Sequence, residues 1–147
     1  MPEPSDLALD VHTLERFVTA QNPVIANVYE ELAAGDKQTH WMWFVFPQML
    51  GLAKSEMSTR YAIRSREEAE AYIEHPILGG RLRQCTRLVG QHSDRSITRI
   101  MGSPDDLKFW SSMTLFSSIA PGEPVFVAAL EQFFSGERDP KTQVLLA

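Results

Sequence analysis

Gln38-Thr39-His40-Trp41-Met42-Trp43-Phe44-Val45-Phe46-Pro47-Gln48 packs two of the chain's three tryptophans, two phenylalanines and a histidine into eleven residues, with polar sequence on both sides. Such a segment must be buried, because each large apolar side chain taken out of water contributes on the order of 1.5–3 kcal/mol. It is too uniformly apolar for a period of 2 or 3.6 to show. The reading is a short buried helix, with a strand as the alternative, and Pro47 ends it either way. In a helix Trp41 and Trp43 diverge; in a strand they share a face. The stretch is expected to form the floor of the core and one wall of a pocket.

Outward from it the chain reads as helices. Asp6 or Asp10 can cap a first helix carrying Leu9, Leu14, Phe17 and Val18. Asn22-Pro23 reads as a helix start, Val24, Val28 and Leu32 repeat along one face, and Gly35 supplies a C-terminal cap. Downstream, Ser65-Arg-Glu-Glu68 is a capping box, and His75-Pro76 is a junction between two helices. Leu78, Leu82, Cys85 and Val89 form an apolar stripe. Ser96 can cap a short helix to Met101. Ser103-Pro-Asp-Asp106 opens the next helix, through Phe109, Met113 and Phe116. Val125 to Phe133 and Asp139 to Leu145 give two more. No alternating strand pair or hairpin signal is found. The fold expected is all-α: one domain over residues 6–147, six to eight short helices, room for one small extended segment, and a frayed tail at residues 1–5.

At 147 residues with 44% hydrophobic and 22% charged content, the chain is an ordinary globular length and composition. Trp41 to Phe46 is the longest apolar run, far short of the roughly 20 residues of a membrane span. The acidic, polar start does not resemble a secretory signal, so a cytoplasmic protein is expected. Cys85 is the single cysteine; on its apolar stripe it reads as buried and inert. The net charge of −5 is unevenly spread. Residues 75–102 carry Arg81, Arg83, Arg87, Arg95 and Arg99 against Asp94 alone. An acidic chain with one local arginine cluster lacks the broad basic face of a nucleic-acid binder, although such a cluster could hold one phosphate or carboxylate. A solvated helix face with inter-helix ion pairs accounts for it equally.

Three constellations could carry chemistry. Asp105, Lys108, Ser111 and Ser112 lie at helical spacings near one face. Lys108 among hydroxyls could bind a phosphate or carboxylate, or act as a base if desolvation lowered its pKa, with Asp105 orienting it or acting as base. An ordinary surface pair, its hydroxyls bonding back to the preceding turn, fits the same spacing. Yet Ser111-Ser-Met-Thr114, between Trp110 and Leu115, is a polar interruption that a purely structural helix does not need. The second constellation is His40 with Trp41, Trp43 and Gln48, which suits stacking on a base with Gln48 reading an edge; a plain aromatic core is the alternative. The third is His75 with Arg81, where a histidine can also bond to a free helix end. No His-x-x-x-His or Glu-x-x-His spacing exists, so neither a metal nor a cofactor is expected.

The run His40-Trp-Met-Trp-Phe-Val-Phe-Pro-Gln48, with Ser55, Tyr61-Ala-Ile63, His75-Pro-Ile-Leu-Gly79, Arg81-Leu82, Asp105-x-x-Lys108 and Ser111-Ser-Met-Thr-Leu-Phe116, resembles the domain-of-unknown-function family 1810 from about Leu7 to Leu146. It departs at Ala53, where the family tends to read Gly-Leu-Gly. The resemblance implies a mostly helical, single-domain bacterial protein whose activity is not established. Some members carry the label calpastatin, but a calpain inhibitor of that kind is disordered and repetitive, and this chain is neither. In outline the chain is also similar to NADAR (YbiA-like) proteins, small helical domains linked to ADP-ribose and N-glycosidic chemistry. The function expected is binding, with hydrolysis an open question, of a small phosphorylated or ADP-ribose-like ligand. In it, Asp105, Lys108 and His40 carry the chemistry, and Trp41, Trp43, Gln48, Arg81, Ser111 and Ser112 make contacts. The alternative is a non-catalytic protein-interaction module.

Overall fold

The structure, a computed structural model, describes residues 10–147, and these form ten helices. They are α1 Glu15–Gln21, α2 Ile25–Ala33, α3 Met42–Val45, α4 Glu56–Arg60, α5 Arg66–Glu74, α6 Leu78–Gly90, α7 Ile97–Met101, α8 Asp105–Ile119, α9 Pro124–Phe134 and α10 Pro140–Leu146. The domain is all-α, as the periodicity predicts. The count passes eight because it includes α3, α4 and α7, each only four or five residues long; α3 and α7 are the short helices read at the aromatic stretch and after Ser96. The tail at residues 1–5 and the candidate cap Asp6 lie outside the described residues. The aromatic stretch is helical, and the extended piece follows it. Met49 and Ile63 form a parallel bridge, with Leu50 N–H donating to the Ile63 carbonyl and Ile63 N–H to the Gln48 carbonyl, both at 2.8 Å.

Side chains set most helix starts, because the first N–H groups of a helix have no internal acceptor. Asp10 accepts from the Leu14 N–H at 2.6 Å, Ser65 from Glu68 N–H at 3.0 Å, and Ser96 from Arg99 N–H at 3.1 Å. The His75 ring nitrogen Nδ1 accepts from Ile77 and Leu78 N–H at 3.1 and 3.2 Å, capping α6. Two expected caps differ. Asn22 is helical, at φ −49°, and ends α1; its carbonyl side-chain oxygen is taken by Arg81, so α2 starts at Ile25. Ser103 does not cap α8, which starts at Asp105. Gly79 is required by close approach: a Cβ there would lie 2.1 Å from the Ile73 carbonyl oxygen, where α6 turns back on α5.

Helix α8 is the hub. Phe109 and every residue from Ser111 to Ser117 are buried, so the helix has no solvent face over its middle, and it packs against α5, α7, α9 and α10. Phe109 meets Phe46 edge-on at 5.0 Å, which joins the aromatic stretch to the hub. Tyr72 meets Phe17 edge-on at 5.0 Å, and Gln21 donates to the Phe44 carbonyl at 2.6 Å and to the Tyr72 hydroxyl at 3.1 Å, tying α1 to α3 and α5. Burial pushes the Cys85 thiol up to about 12, so it is an inert core side chain. The arginine cluster is divided: Arg83 pairs with Glu123 at 2.6 Å, and Arg95 caps the end of α2 through the Ala34 and Gly35 carbonyls.

Candidate functional site

Three segments distant in sequence enclose a groove of about 520 Å³. One wall is Gln48, Leu52, Ala53, Ser55 and Ser58, from the bridge-closed loop and α4. The second is the start of α8: Pro104, Leu107, Lys108, Trp110 and Ser111. The third opens α10: Asp139, Pro140 and Lys141. The lining is mostly apolar, with ammonium, hydroxyl and amide groups set into it, which is the usual make-up of a small-molecule site.

Each wall has an identifiable anchor. The Met49–Ile63 bridge holds Gln48 in place, and the Ser55 hydroxyl caps α4 by accepting from Ser58 N–H at 3.1 Å. Trp110 is fixed by its indole N–H on the Glu137 carbonyl at 2.8 Å and by stacking on Phe134. Asp139 joins the second wall to the third. Only 5% exposed, it accepts from Ser111 and Thr142 hydroxyls, both at 2.7 Å, and from Lys141 N–H at 3.1 Å. Its own N–H donates to the Thr114 hydroxyl at 3.0 Å. The polar interruption within α8 is thereby accounted for: Ser111 and Thr114 dock the start of α10. Ser111 is 6% exposed, and its hydroxyl is engaged in this docking contact.

Behind the groove lies a charged trio. Asp105 pairs with Lys37 at 2.9 Å and stands 3.9 Å from Lys108, whose ammonium lies over the Trp43 ring at 5.5 Å. Lys37 also donates to the Thr39 carbonyl at 2.6 Å and sits 4.9 Å over the Trp41 ring. The other side of the same loop is held by Glu31. Its carboxylate accepts from Gln38 and Thr39 N–H, the Thr39 hydroxyl, the Trp41 indole N–H and the Asn27 amide. Burial pushes the Glu31 carboxyl up, but the donors from Thr39, Gln38 and Trp41 outweigh it and hold the pKa at about 2.

The expected site residues therefore separate. Gln48, Lys108 and Ser111 line the groove; Asp105 and Trp43 flank Lys108. His40 is exposed in the loop before α3 and does not line the groove. Trp41 and Ser112 are each fully buried in the core, so neither presents surface to a ligand. Arg81 is on another face, held by Gln21 at 3.3 Å and Asn22 at 2.9 Å. None of these three lines the groove. The sequence reading missed Lys37, Asp139 and Lys141. Asp139-Pro140 reads as a helix start, and nothing local shows that its carboxylate reaches Ser111, 28 residues away. No group of three metal-ligating side chains occurs among the described residues.

A family model described as a protein of unknown function, DUF1810, matches residues 11–146. The chain belongs to this family. No curated protein matches it. The DUF1810 chain is similar to the conserved hypothetical protein Rv1873 from Mycobacterium tuberculosis, solved by crystallography at 1.38 Å. The two are 53% identical with a TM-score of 0.89, over 90% of this chain and 95% of that one. In this DUF1810 protein no helix of the described residues is long and apolar enough to cross a membrane.

Proposed function

We propose that this protein binds a small molecule with a flat or apolar body and an anionic group, of the phosphorylated or nucleotide-like class, in the groove between α4, α8 and α10. The observation that carries the reading is Lys108, an ammonium on the wall of an otherwise largely apolar groove of about 520 Å³, sharing its nearest carboxylate with a second lysine. Trp110, Leu52 and Pro104 offer apolar surface to the body of the ligand; Lys108 and Lys141 attract its charge; Gln48, Ser55 and Ser58 offer hydrogen bonds. Binding is favoured over hydrolysis, because Asp105 is engaged by two cations, and the Ser111 hydroxyl and Asp139 carboxylate are both used in docking α10 to α8.

A thermal-shift screen against nucleotides, ADP-ribose, NAD and sugar phosphates tests this. A ligand at a hundred times its dissociation constant adds roughly 2.7 kcal/mol, a rise of several degrees. The expected hit disappears in Lys108→Ala. A flat screen, or a hit that survives in both Lys108→Ala and Lys141→Ala, rejects the reading. A second reading, a protein-interaction surface, is favoured by Leu107 at the groove, 55% exposed, and by Leu50 and Leu145, each 41% exposed. Loss of a captured partner in Leu107→Asp, with the screen flat, would support it.

A further inference from the structure

Lys37 lines no part of the groove, yet its side chain is only 5% exposed, an unusual position for a lysine. Its ammonium is satisfied by Asp105 at 2.9 Å, by the Thr39 carbonyl at 2.6 Å and by the Trp41 face. Asp105 and Lys108 stand three apart on α8, a spacing at which they would pair closely if left to themselves. They do not: their separation is 3.9 Å, because the other carboxylate oxygen is committed to Lys37. Two ammoniums share one carboxylate. The nearby acids keep their charges but spend their oxygens elsewhere: Asp106 accepts from the Thr98 hydroxyl and Leu107 N–H, Glu31 from donors on the loop and α2, and Asp139 from Ser111, Thr142 and Lys141, and none of them pairs with Lys108.

We infer that Lys37 is a positioning residue for the groove: by occupying Asp105 it prevents Lys108 from closing a tight ion pair, so that the Lys108 ammonium keeps no close counter-ion and is open to the anionic end of a ligand. This rests on the reading of the groove as a site for an apolar anion. The net charge of the trio then sets the order of affinities. Asp105→Asn raises it by one, Lys37→Met lowers it to zero, and the double variant Lys37→Met/Asp105→Asn restores the original value while removing the whole clamp.

The experiment is calorimetric titration of 2-naphthyl phosphate, a flat apolar body with one phosphate, into wild type, Lys108→Met, Lys37→Met, Asp105→Asn and the double variant. Near-ultraviolet circular dichroism checks that each is folded. Expected is a loss of about five- to tenfold in Lys37→Met, a gain of similar size in Asp105→Asn, and return to within about twofold of wild type in the double variant. If Lys37 merely braces its loop, the double variant binds no better than Lys37→Met, and the inference is overturned. Unchanged affinity in Lys37→Met overturns it as well. Should Lys37→Met not fold, unchanged or weaker binding by Asp105→Asn decides against it. Wild type that does not bind, or binds equally as Lys108→Met, rejects the groove reading itself and this inference with it.

Discussion

Glu31 and Asp105 grip the same loop, residues 37–41, by opposite means. Glu31 is met by five neutral donors, four of them in that loop. Asp105 is met by two ammoniums, one at 2.9 Å and one at 3.9 Å. A carboxylate saturated by N–H and O–H groups keeps its charge in a closed, directional cage, which is a device for holding structure. A carboxylate shared between two cations leaves charge over, and leftover charge beside an apolar groove is a device for holding something else. On the proposed reading of the groove, the contrast separates a structural acid from one beside a ligand site where burial alone does not.

The comparison breaks first at Glu31. Glu31→Ala strands the buried Trp41 indole N–H and two loop amides, and should cost about 3 kcal/mol or more in urea unfolding; a loss below about 1 kcal/mol would show that water replaces the cage. Acid sharpens the same point. The folded Glu31 carboxyl titrates near 2, below its ordinary 4.5, so its stabilisation is complete above about 4.5 and fades as pH falls towards 2. The stability gap between wild type and Glu31→Ala should therefore narrow between pH 5 and pH 2.5; a constant gap would mean that the charge is immaterial. Asp105→Asn comes next. It deprives a buried lysine of its partner, but the acid is one-fifth exposed, so the expected loss is about 1–2 kcal/mol in thermal unfolding. Smallest is Lys108→Ala: an ammonium 3.9 Å from its partner should contribute within about 0.5 kcal/mol of nothing. A larger drop in melting temperature would make Lys108 structural and weaken the contrast.

What was legible in the sequence follows the range of the contacts. The Ser65 cap, the His75 junction and the stripe Leu78, Leu82, Cys85, Val89 are settled within one or two turns, and the fold class came from them. The helical state of Trp41 to Phe46 could only be leaned towards, since burial on all sides erases periodicity. The groove was harder. Lys108, Gln48 and Ser111 were marked by their company in the sequence. Lys37 carries no local signal, because its partner is 68 residues away, and Asp139 reads only as a helix start, because its second role is on α8. Conversely, Trp41 reads as a stacking surface because it lies in an aromatic run; whether it faces a ligand or Glu31 depends on α2, which the run does not contain.

The third wall of the groove has a consequence in time. Asp139 to Lys141 line the groove with Gln48 and Ser55, which are made some ninety residues earlier. The Ser111 and Thr114 hydroxyls wait on α8 for a carboxylate and an amide that do not yet exist. A nascent chain halted at Glu137 would have its central helix and most of its core and still lack an enclosed groove. Anything that occupies the groove is thereby captured only by chains in which α10 has been made and has docked.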